Sequence, residues 1–378
     1  MEAKNKLNTM EVKNKFNIIE YLKKECVLTA AVSLAVLTSF VYAPKLEYID
    51  FKTLILLFNL MVVVSAFKKL KVLDYVAVGV AKKCNTYRHL SIALVFITFF
   101  ASMIVTNDVA LITFVPITII IGEKLDIDIL KIVVFQTLAA NLGSSLTPMG
   151  NPQNLFLYTY YDISPVSFFM ITGPIALIAV IFLIGLILRN KNKIINVSLD
   201  EVELGNTKKL ILYFGLLIVI LFSVFHLIDY RISFIITVIL VSLIDKKLFL
   251  EVDYSLLITF IGFFIFIGNI SNSAAIQNFM GKILSGESNT YYTGIVASQF
   301  ISNVPATMLL SGFTDHFKEL LLGVNIGGMG TLIASLASVI SYKLYCNSSS
   351  ESSGRYLRVF TLYNLFGLII FTIILKFI

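Results

Sequence analysis

The sequence predicts an all-α polytopic membrane protein, and three observations carry that prediction. Hydrophobic residues fill 57% of the 378 positions and charged residues only 14%, where a soluble domain carries about 25% charged residues. The apolar residues come in long runs, several of them near the ~20 residues that cross a hydrocarbon core. Four of these runs are interrupted midway by Asn, Gly, Pro and Ser. No soluble core of one domain could bury so much apolar surface, so the bilayer is the expected surrounding of this chain.

The segments follow in order. Residues 1–25 are polar and Lys-rich, lack the A-x-A exit of a cleavable signal, and are expected as a cytoplasmic tail. A first membrane repeat is expected over 26–188. It opens with spans at Cys26–Tyr42 and Phe51–Phe67. Lys68–Leu90 carries Lys68, Lys69, Lys71, Lys82, Lys83 and Arg88 around a small apolar centre, the pattern of an interfacial helix on the cytoplasmic side. Leu90–Ile121 is broken at Thr106-Asn107-Asp108, and Ile129–Tyr161 is broken from Asn141 to Asn154. Val166–Leu188 is an uninterrupted span, and 189–209 is a cytoplasmic linker with Arg189, Lys191, Lys193, Lys208 and Lys209.

Residues 210–378 hold a connecting span, Leu210–Leu227, and a second repeat. Ile232–Ile244 and Ser255–Ile270 are spans, and Ala274–Leu284 is amphipathic. Tyr291–Phe313 is broken at Ser302-Asn303-Val304-Pro305, Leu320–Leu344 is broken at Asn325-Ile326-Gly327-Gly328-Met329-Gly330-Thr331, and Tyr356–Ile378 closes the chain. Each half thus has a break at an Asn and a second break at an Asn-x-Gly. If the segments broken at Asn107 and Asn303 are re-entrant hairpins and the N-terminus is cytoplasmic, the basic stretches Lys68–Arg88, Arg189–Lys209 and Lys343–Arg358 all fall inside. The fold class that follows is two inverted repeats, each with a re-entrant helical hairpin and a broken transmembrane helix, with about nine spans plus two hairpins.

The breaks are where chemistry is expected. Irregular backbone at bilayer depth is tolerated where it is buried in protein or lines a wet cavity. A half-helix N-terminus attracts an anion, and the C-terminus before it offers carbonyls to a cation. Gly143, Gly150, Gly327 and Gly328 allow close approach of backbone, while Pro148, Pro152 and Pro305 remove N–H donors. The polar candidates for substrate or ion binding are Thr106, Asn107, Asn141, Ser144, Thr147, Asn151, Asn154, Ser302, Asn303, Asn325 and Thr331. Na⁺ is expected, if anywhere, at Asn107, Asn141, Asn303 and Asn325.

Asp108 is the acidic side chain set deep within an apolar segment, and an intramembrane carboxylate is a functional candidate by default. No Lys or Arg stands at the centre of a broken segment, since Lys124, Lys131, Lys318 and Lys343 sit at edges. His226 and His316 lie near span ends, His89 lies in the basic stretch, and Tyr158, Tyr160 and Tyr161 suit an aromatic interface belt.

Thr106-Asn107-Asp108-Val109-Ala110-Leu111 with Val115-Pro116, Asn141-Leu142-Gly143, Thr147 through Asn154, Ile301 through Pro305, and Asn325 through Gly328 together resemble the arsenite permease/anion permease branch of the ion transporter superfamily, which includes citrate transporters and sodium–proton antiporters. The resemblance runs from about residue 26 to the end. It implies a scaffold and a moving transport domain, often as a homodimer, working by elevator-like alternating access. It also implies substrate and cation between the hairpin tips at Asn107 and Asn303 and the loops at Asn141 and Asn325. The tips depart from the Ser-Asn-Thr of carboxylate symporters, and the second loop has Ala334-Ser335-Leu336-Ala337-Ser338 where the first has Gly150-Asn151-Pro152-Gln153-Asn154. These departures favour a small anion or oxyacid, moved across the cytoplasmic membrane with Na⁺ or H⁺ as coupling ion.

Other classes fit less well. The net charge of +7 sits between apolar runs and gives no reason to expect nucleic acid. Cys26, Cys84 and Cys346 share no metal-ligand spacing. No catalytic motif, cofactor motif or P-loop is present in the sequence, so an enzyme is not expected. A channel would need a continuous polar pore, which the two matched hairpins do not suggest.

Overall fold

The computed structural model describes residues 25–197, 199–348 and 353–376. The expected tail falls outside them except for Glu25. Among the described residues there are seventeen α-helices and no strand. In chain order the first eight are α1 (Cys26–Ser39), α2 (Phe51–Lys69), α3 (Val72–Ala81), α4 (Tyr87–Val105), α5 (Asn107–Leu125), α6 (Leu130–Ser144), α7 (Pro152–Tyr160) and α8 (Pro165–Leu188). Then follow α9 (Thr207–Val224), α10 (Tyr230–Ile244), α11 (Tyr254–Ile270), α12 (Ala274–Ile283), α13 (Glu287–Ile301), α14 (Asn303–Ser311), α15 (Phe317–Gly327), α16 (Leu336–Ser348) and α17 (Ser353–Leu375).

Local chemistry sets the helix starts. Asp50, Thr86, Ser164, Asn206, Asp229 and Asp253 each accept a first-turn N–H of the helix that follows, satisfying donors the helix itself cannot pair. Pro152 and Pro165 stand at first helical positions, where a missing N–H costs nothing.

Five helices are long and apolar enough to cross a membrane: α2, α4, α8, α9 and α17, with a sixth if α11 and α12 are counted as one span. The α1 and α10 helices are apolar but shorter. Large aliphatic and aromatic side chains are exposed along these helices, including Ile181 at 73% and Leu177 at 70%. In water such a surface would aggregate, whereas hydrocarbon solvates it. The chain is a multi-pass membrane protein.

The described residues form two compact units. One takes in Asp253–Asn272 and the described part of Met1–Ile49. Within it α11 lies along α1, with Gly262 against the backbone of Ala31. Asn269 Nδ2 donates to Thr38 Oγ1 at 3.2 Å and Ser39 Oγ at 3.1 Å, which closes the far end of the pair.

The other unit, Asp50–Val252 with Ser273–Ile378, contains all four breaks. Its charged ends segregate. At one end the linker meets helix ends: Lys82 faces Glu201 at 3.7 Å, Lys124 faces Asp200 at 2.9 Å, and Arg355 faces Asp128 at 2.6 Å. There Arg88 also donates to the carbonyls of Leu188 and Asn190 at 3.3 Å. At the opposite end of α2, Asp50 and Thr53 meet Thr159, and Lys52 lies 3.7 Å from Asp162.

Two expectations need correction. The breaks do not begin at Asn141 and Asn325, because helix continues to Ser144 in α6 and to Gly327 in α15. Both asparagines find side-chain partners without unwinding the turn. Tyr158 belongs to no interface belt. It is fully buried between Phe168 (ring centroids 5.5 Å) and His226 (4.9 Å), since α7 is packed inside the unit, while Tyr160 is half-exposed.

Candidate functional site

At each of the two predicted tips a single residue joins two helices. Thr106 joins α4 to α5 with φ +75° and ψ 153°, and Ser302 joins α13 to α14 with φ +71° and ψ 153°. Positive φ at a β-branched residue is a true outlier, and such conformations persist only where the surroundings impose them. That two tips far apart in sequence share it within a few degrees makes them the same device. Each turn places an asparagine at the first position of the following helix. Asn107 and Asn303 are both 4% exposed.

From Asn107 the network runs inward. Its Nδ2 donates to Asn141 Oδ1 at 3.2 Å, and its own Oδ1 accepts from the Asp108 N–H at 3.0 Å. Asn141 Oδ1 also accepts from Ser335 Oγ at 3.0 Å. Asn141 Nδ2 donates to Ser338 Oγ at 3.2 Å and to the Gly328 carbonyl at 3.4 Å. Gly328 in turn lies beside Asn303, where an added Cβ would come 3.0 Å from Nδ2. Ser302 Oγ reaches the Ala334 carbonyl at 3.4 Å. Asn141 therefore ties the first tip to the second loop, next to the second tip.

A second knot mirrors the first. Asn325 Nδ2 donates to Asn154 Oδ1 at 2.7 Å, and Asn325 Oδ1 accepts from Asn151 Nδ2 at 3.3 Å. Asn151 Nδ2 also reaches Ser144 Oγ at 3.2 Å, and Ser144 Oγ donates to the Asn141 carbonyl at 3.1 Å. The offset that takes Asn141 to Asn325 also takes Asn151 to Ser335 and Asn154 to Ser338. It carries the 3₁₀ turn Pro148–Gly150 onto Leu332–Ala334 and the start of α7 onto the start of α16. The serines thus occupy the places of the missing asparagines. That offset is the sequence signal by which Ser335 and Ser338 could have been found.

The remaining candidates hold the scaffold around these knots. Thr147 Oγ1 donates to the Met103 carbonyl at 2.5 Å, and Thr331 Oγ1 to the Gln299 carbonyl at 3.0 Å, each fastening a loop to a hairpin limb. Thr147 is half-buried and Thr331 exposed. Gly143 and Gly327 let α6 and α15 close on their hairpins: a Cβ would come 2.7 Å from Ser102 Oγ and 2.7 Å from Ser298 Oγ respectively. Gly150 lies on the Ser144 carbonyl.

Asp108 stands in the first turn of α5 and is partly buried, where the helix dipole favours its charge. The edge lysines keep their distance. Lys124 pairs with Asp200, and Lys131 reaches Asn190 at 3.3 Å.

What is assembled is a buried cluster of amides and hydroxyls with two half-helix N-termini, a carboxylate and no basic side chain from the broken segments. Comparison with known proteins decides the family. A citrate transporter family model, CitMHS, matches residues 18–317. The chain belongs to the citrate transporter family. The uncharacterized transporter MJ0456 of Methanocaldococcus jannaschii is 34% identical over 314 residues, covering 82% of this chain and 85% of that protein. The inner membrane protein YbiR of Escherichia coli is 30% identical over 309 residues, covering 80% and 82%. The uncharacterized transporter Rv2685 of Mycobacterium tuberculosis is 24% identical over 332 residues, covering 77% and 78%. As a member of this family within the ion transporter superfamily, the chain is a transporter.

Proposed function

We propose that this protein is a secondary active transporter that moves a small anion or oxyacid across the cytoplasmic membrane, coupled to H⁺ or Na⁺, by elevator-like alternating access. The observation that carries the reading is the pair of strained tips, Thr106 and Ser302, which place Asn107 and Asn303 at helix N-termini beside the Asn141 knot. First-turn N–H groups at the two tips suit an anion. The lack of a basic side chain suits one of low charge. Asp108 is the coupling carboxylate in this reading.

The recurring element order supports two repeats of inverted topology, with about nine spans plus two hairpins. The basic linker, gathered with the ends of α3, α4 and α5, supports a cytoplasmic face there and hence a cytoplasmic N-terminus. The Escherichia coli relative, an inner membrane protein, supports the same membrane. A homodimer belongs to the same reading.

The test is thermal stability of the purified protein against phosphate, sulfate, arsenite, citrate and succinate at stepped pH and with Na⁺, because a ligand of the folded state raises its melting point. A rise with one oxyanion or carboxylate supports the reading and names the class. Loss of transport in folded Asp108→Asn supports the carboxylate's role, and unchanged pH and sodium dependence would remove it. The carboxylate among otherwise neutral groups also favours a second reading, sodium–proton antiport. In that case Na⁺ alone would dissipate a pH gradient in liposomes.

A further inference from the structure

Away from the breaks, three packed helices each bring a pair of lysines to the same end of their unit. Lys68 and Lys69 close α2, Lys208 and Lys209 lie in the first turn of α9, and Lys246 and Lys247 follow α10. The packing puts these ends together. Phe67 of α2 meets Phe214 of α9 with ring centroids 5.6 Å apart. The Gly205 N–H, just before α9, donates to the Leu70 carbonyl, just after α2, at 3.0 Å. Lys69 Nζ reaches Asp245, at the end of α10, at 2.5 Å.

The charges at this end do not balance. Both oxygens of Asp245 are taken, Oδ2 by Lys69 and Oδ1 by the Lys247 N–H at 3.3 Å. Lys69 holds its carboxyl below the usual carboxylate range, and the charge of Lys209 adds a smaller effect. Lys68, Lys208, Lys246 and Lys247 are exposed. None of them has a carboxylate within ion-pair distance among the described residues. The cations where the linker meets the other helix ends are matched instead, Lys82 by Glu201, Lys124 by Asp200 and Arg355 by Asp128. Lys208 and Lys209 also stand at a helix N-terminus, where the dipole disfavours a cation. Neither pairing nor helix stability accounts for them.

Beside the lysines the surface is apolar and open. Ile211 is 66% exposed and Leu212 47% in the next turn of α9, and Leu243 and Leu250 are each 82% exposed on either side of Lys246-Lys247. Ammonium groups suit a phosphodiester through charge-assisted hydrogen bonds, and the aliphatic surface beside them suits acyl chains. A soluble anion would use only the lysines and a neutral lipid only the aliphatic side chains, whereas an anionic phospholipid uses both. Basic pockets between membrane helices hold such headgroups by the same chemistry.

We propose that the end of the α2–α9–α10 bundle is a binding site for an anionic phospholipid, with the three lysine pairs around its phosphate. The site lies apart from the breaks and needs only that the chain is a multi-pass membrane protein, so it stands or falls independently of the transported substrate.

Thermal unfolding of the purified full-length protein in neutral detergent, titrated with phosphatidylglycerol and with no transported substrate present, tests it. Phosphatidylcholine and free glycerol phosphate are the comparisons. Because a ligand of the folded state raises the melting point, a saturable rise is expected with phosphatidylglycerol and none with the other two. Lys208→Gln with Lys209→Gln is expected to raise the half-saturating lipid concentration roughly fivefold for each lysine removed. In detergent alone the same variant should be as stable as the wild type or slightly more so, since it relieves the helix dipole. Lys191→Gln with Lys193→Gln removes equal charge from the linker and is expected to keep the wild-type response. An equal rise with phosphatidylcholine, a rise with glycerol phosphate, or a response that both double variants lose alike overturns the proposal. A melting point that ignores lipid and climbs with protein concentration would give this face to a second copy of the chain and overturn it too. Should the variants fail to fold, the wild-type comparison of the two lipids decides.

Discussion

Asn141 and Asn325 occupy the same turn of α6 and α15, and each sends its side chain into the loop that the other helix opens. Asn141 bonds Ser338 and Ser335, and Asn325 bonds Asn154 and Asn151. The exchange is reciprocal, so neither break is held by its own half alone. At 4% and 3% exposure, neither asparagine has water to replace a lost partner, and the site is one cooperative object rather than two loops side by side.

Removing one of them should therefore loosen both breaks. Asn141→Ala strands Ser335, the Asn107 amide and the Gly328 carbonyl. Each buried polar group left unpaired costs about 1–3 kcal/mol, so a loss toward the upper part of that range is expected. A double-mutant cycle joining Asn141→Ala with Asn325→Ala should show a coupling of roughly 0.5–3 kcal/mol in unfolding free energy. Strict additivity would mean that the two knots are independent.

The parts of this arrangement differ in how far the sequence revealed them. Both interruptions, at Thr106-Asn107 and Ser302-Asn303, were legible because a polar pair breaks a long apolar run, but the joining residues are Thr106 and Ser302, one position before the expected asparagines. The helix starts at Asp50, Pro152, Pro165 and Asn206 rest on capping chemistry that is local. The helicity of Asn141 through Ser144 was not legible, because the partners that satisfy Asn141 come from Ser335 and Ser338, nearly two hundred positions away. Gln299 was hidden for the same reason, being an ordinary residue of a hairpin limb until the second loop folds over it. Tyr158 was misplaced because an aromatic cluster at a helix end has the same composition whether it meets headgroups or a packed interior.

The strained tips make a prediction of opposite sign for stability and activity. Thr106→Gly or Ser302→Gly removes strain of order 1–3 kcal/mol and gives back roughly 0.5–1 kcal/mol to the entropy of glycine. The melting point should hold steady or rise, while transport in proteoliposomes falls because Asn107 or Asn303 is no longer directed at its knot. A variant that is both more stable and fully active would show that the tip conformation has no functional part.

His226 gives a pH dependence that lies outside the spans. It follows α9 with φ +62°, and its Nδ1 is 3.5 Å from Asp162. Burial and the nearby Lys52 hold its pKa below the usual 6.5, and Asp162 offsets this only in part. The folded protein therefore binds this proton less readily than the unfolded chain does. Stability from this residue is complete above pH 6.5 and is lost as pH falls through that value to the lowered folded pKa. His226→Gln should flatten the acid side of the melting curve between neutral and mildly acid pH, with little change at pH 8. An unchanged slope would assign the acid sensitivity to carboxylates instead.

Gln136 fastens the first hairpin to the helix behind it. It is fully buried in α6, where its Nε2 donates to Thr98 Oγ1 of α4 at 3.1 Å, and its Oε1 accepts from Thr118 Oγ1 of α5 at 2.9 Å. One amide thus spans both limbs, so hairpin and helix are expected to move together whenever the tip does. Gln136→Leu keeps the volume but takes one partner from each of two hydroxyls. Each of these still bonds a carbonyl of its own helix, Leu94 for Thr98 and Phe114 for Thr118, so the cost should stay near 1–2 kcal/mol rather than the full burial penalty. Hydrogen exchange should then speed up in α4 and α5 while α13 and α14 keep their protection. Equal loosening of both hairpins would mean that Gln136 stabilises the unit as a whole and fastens no particular limb.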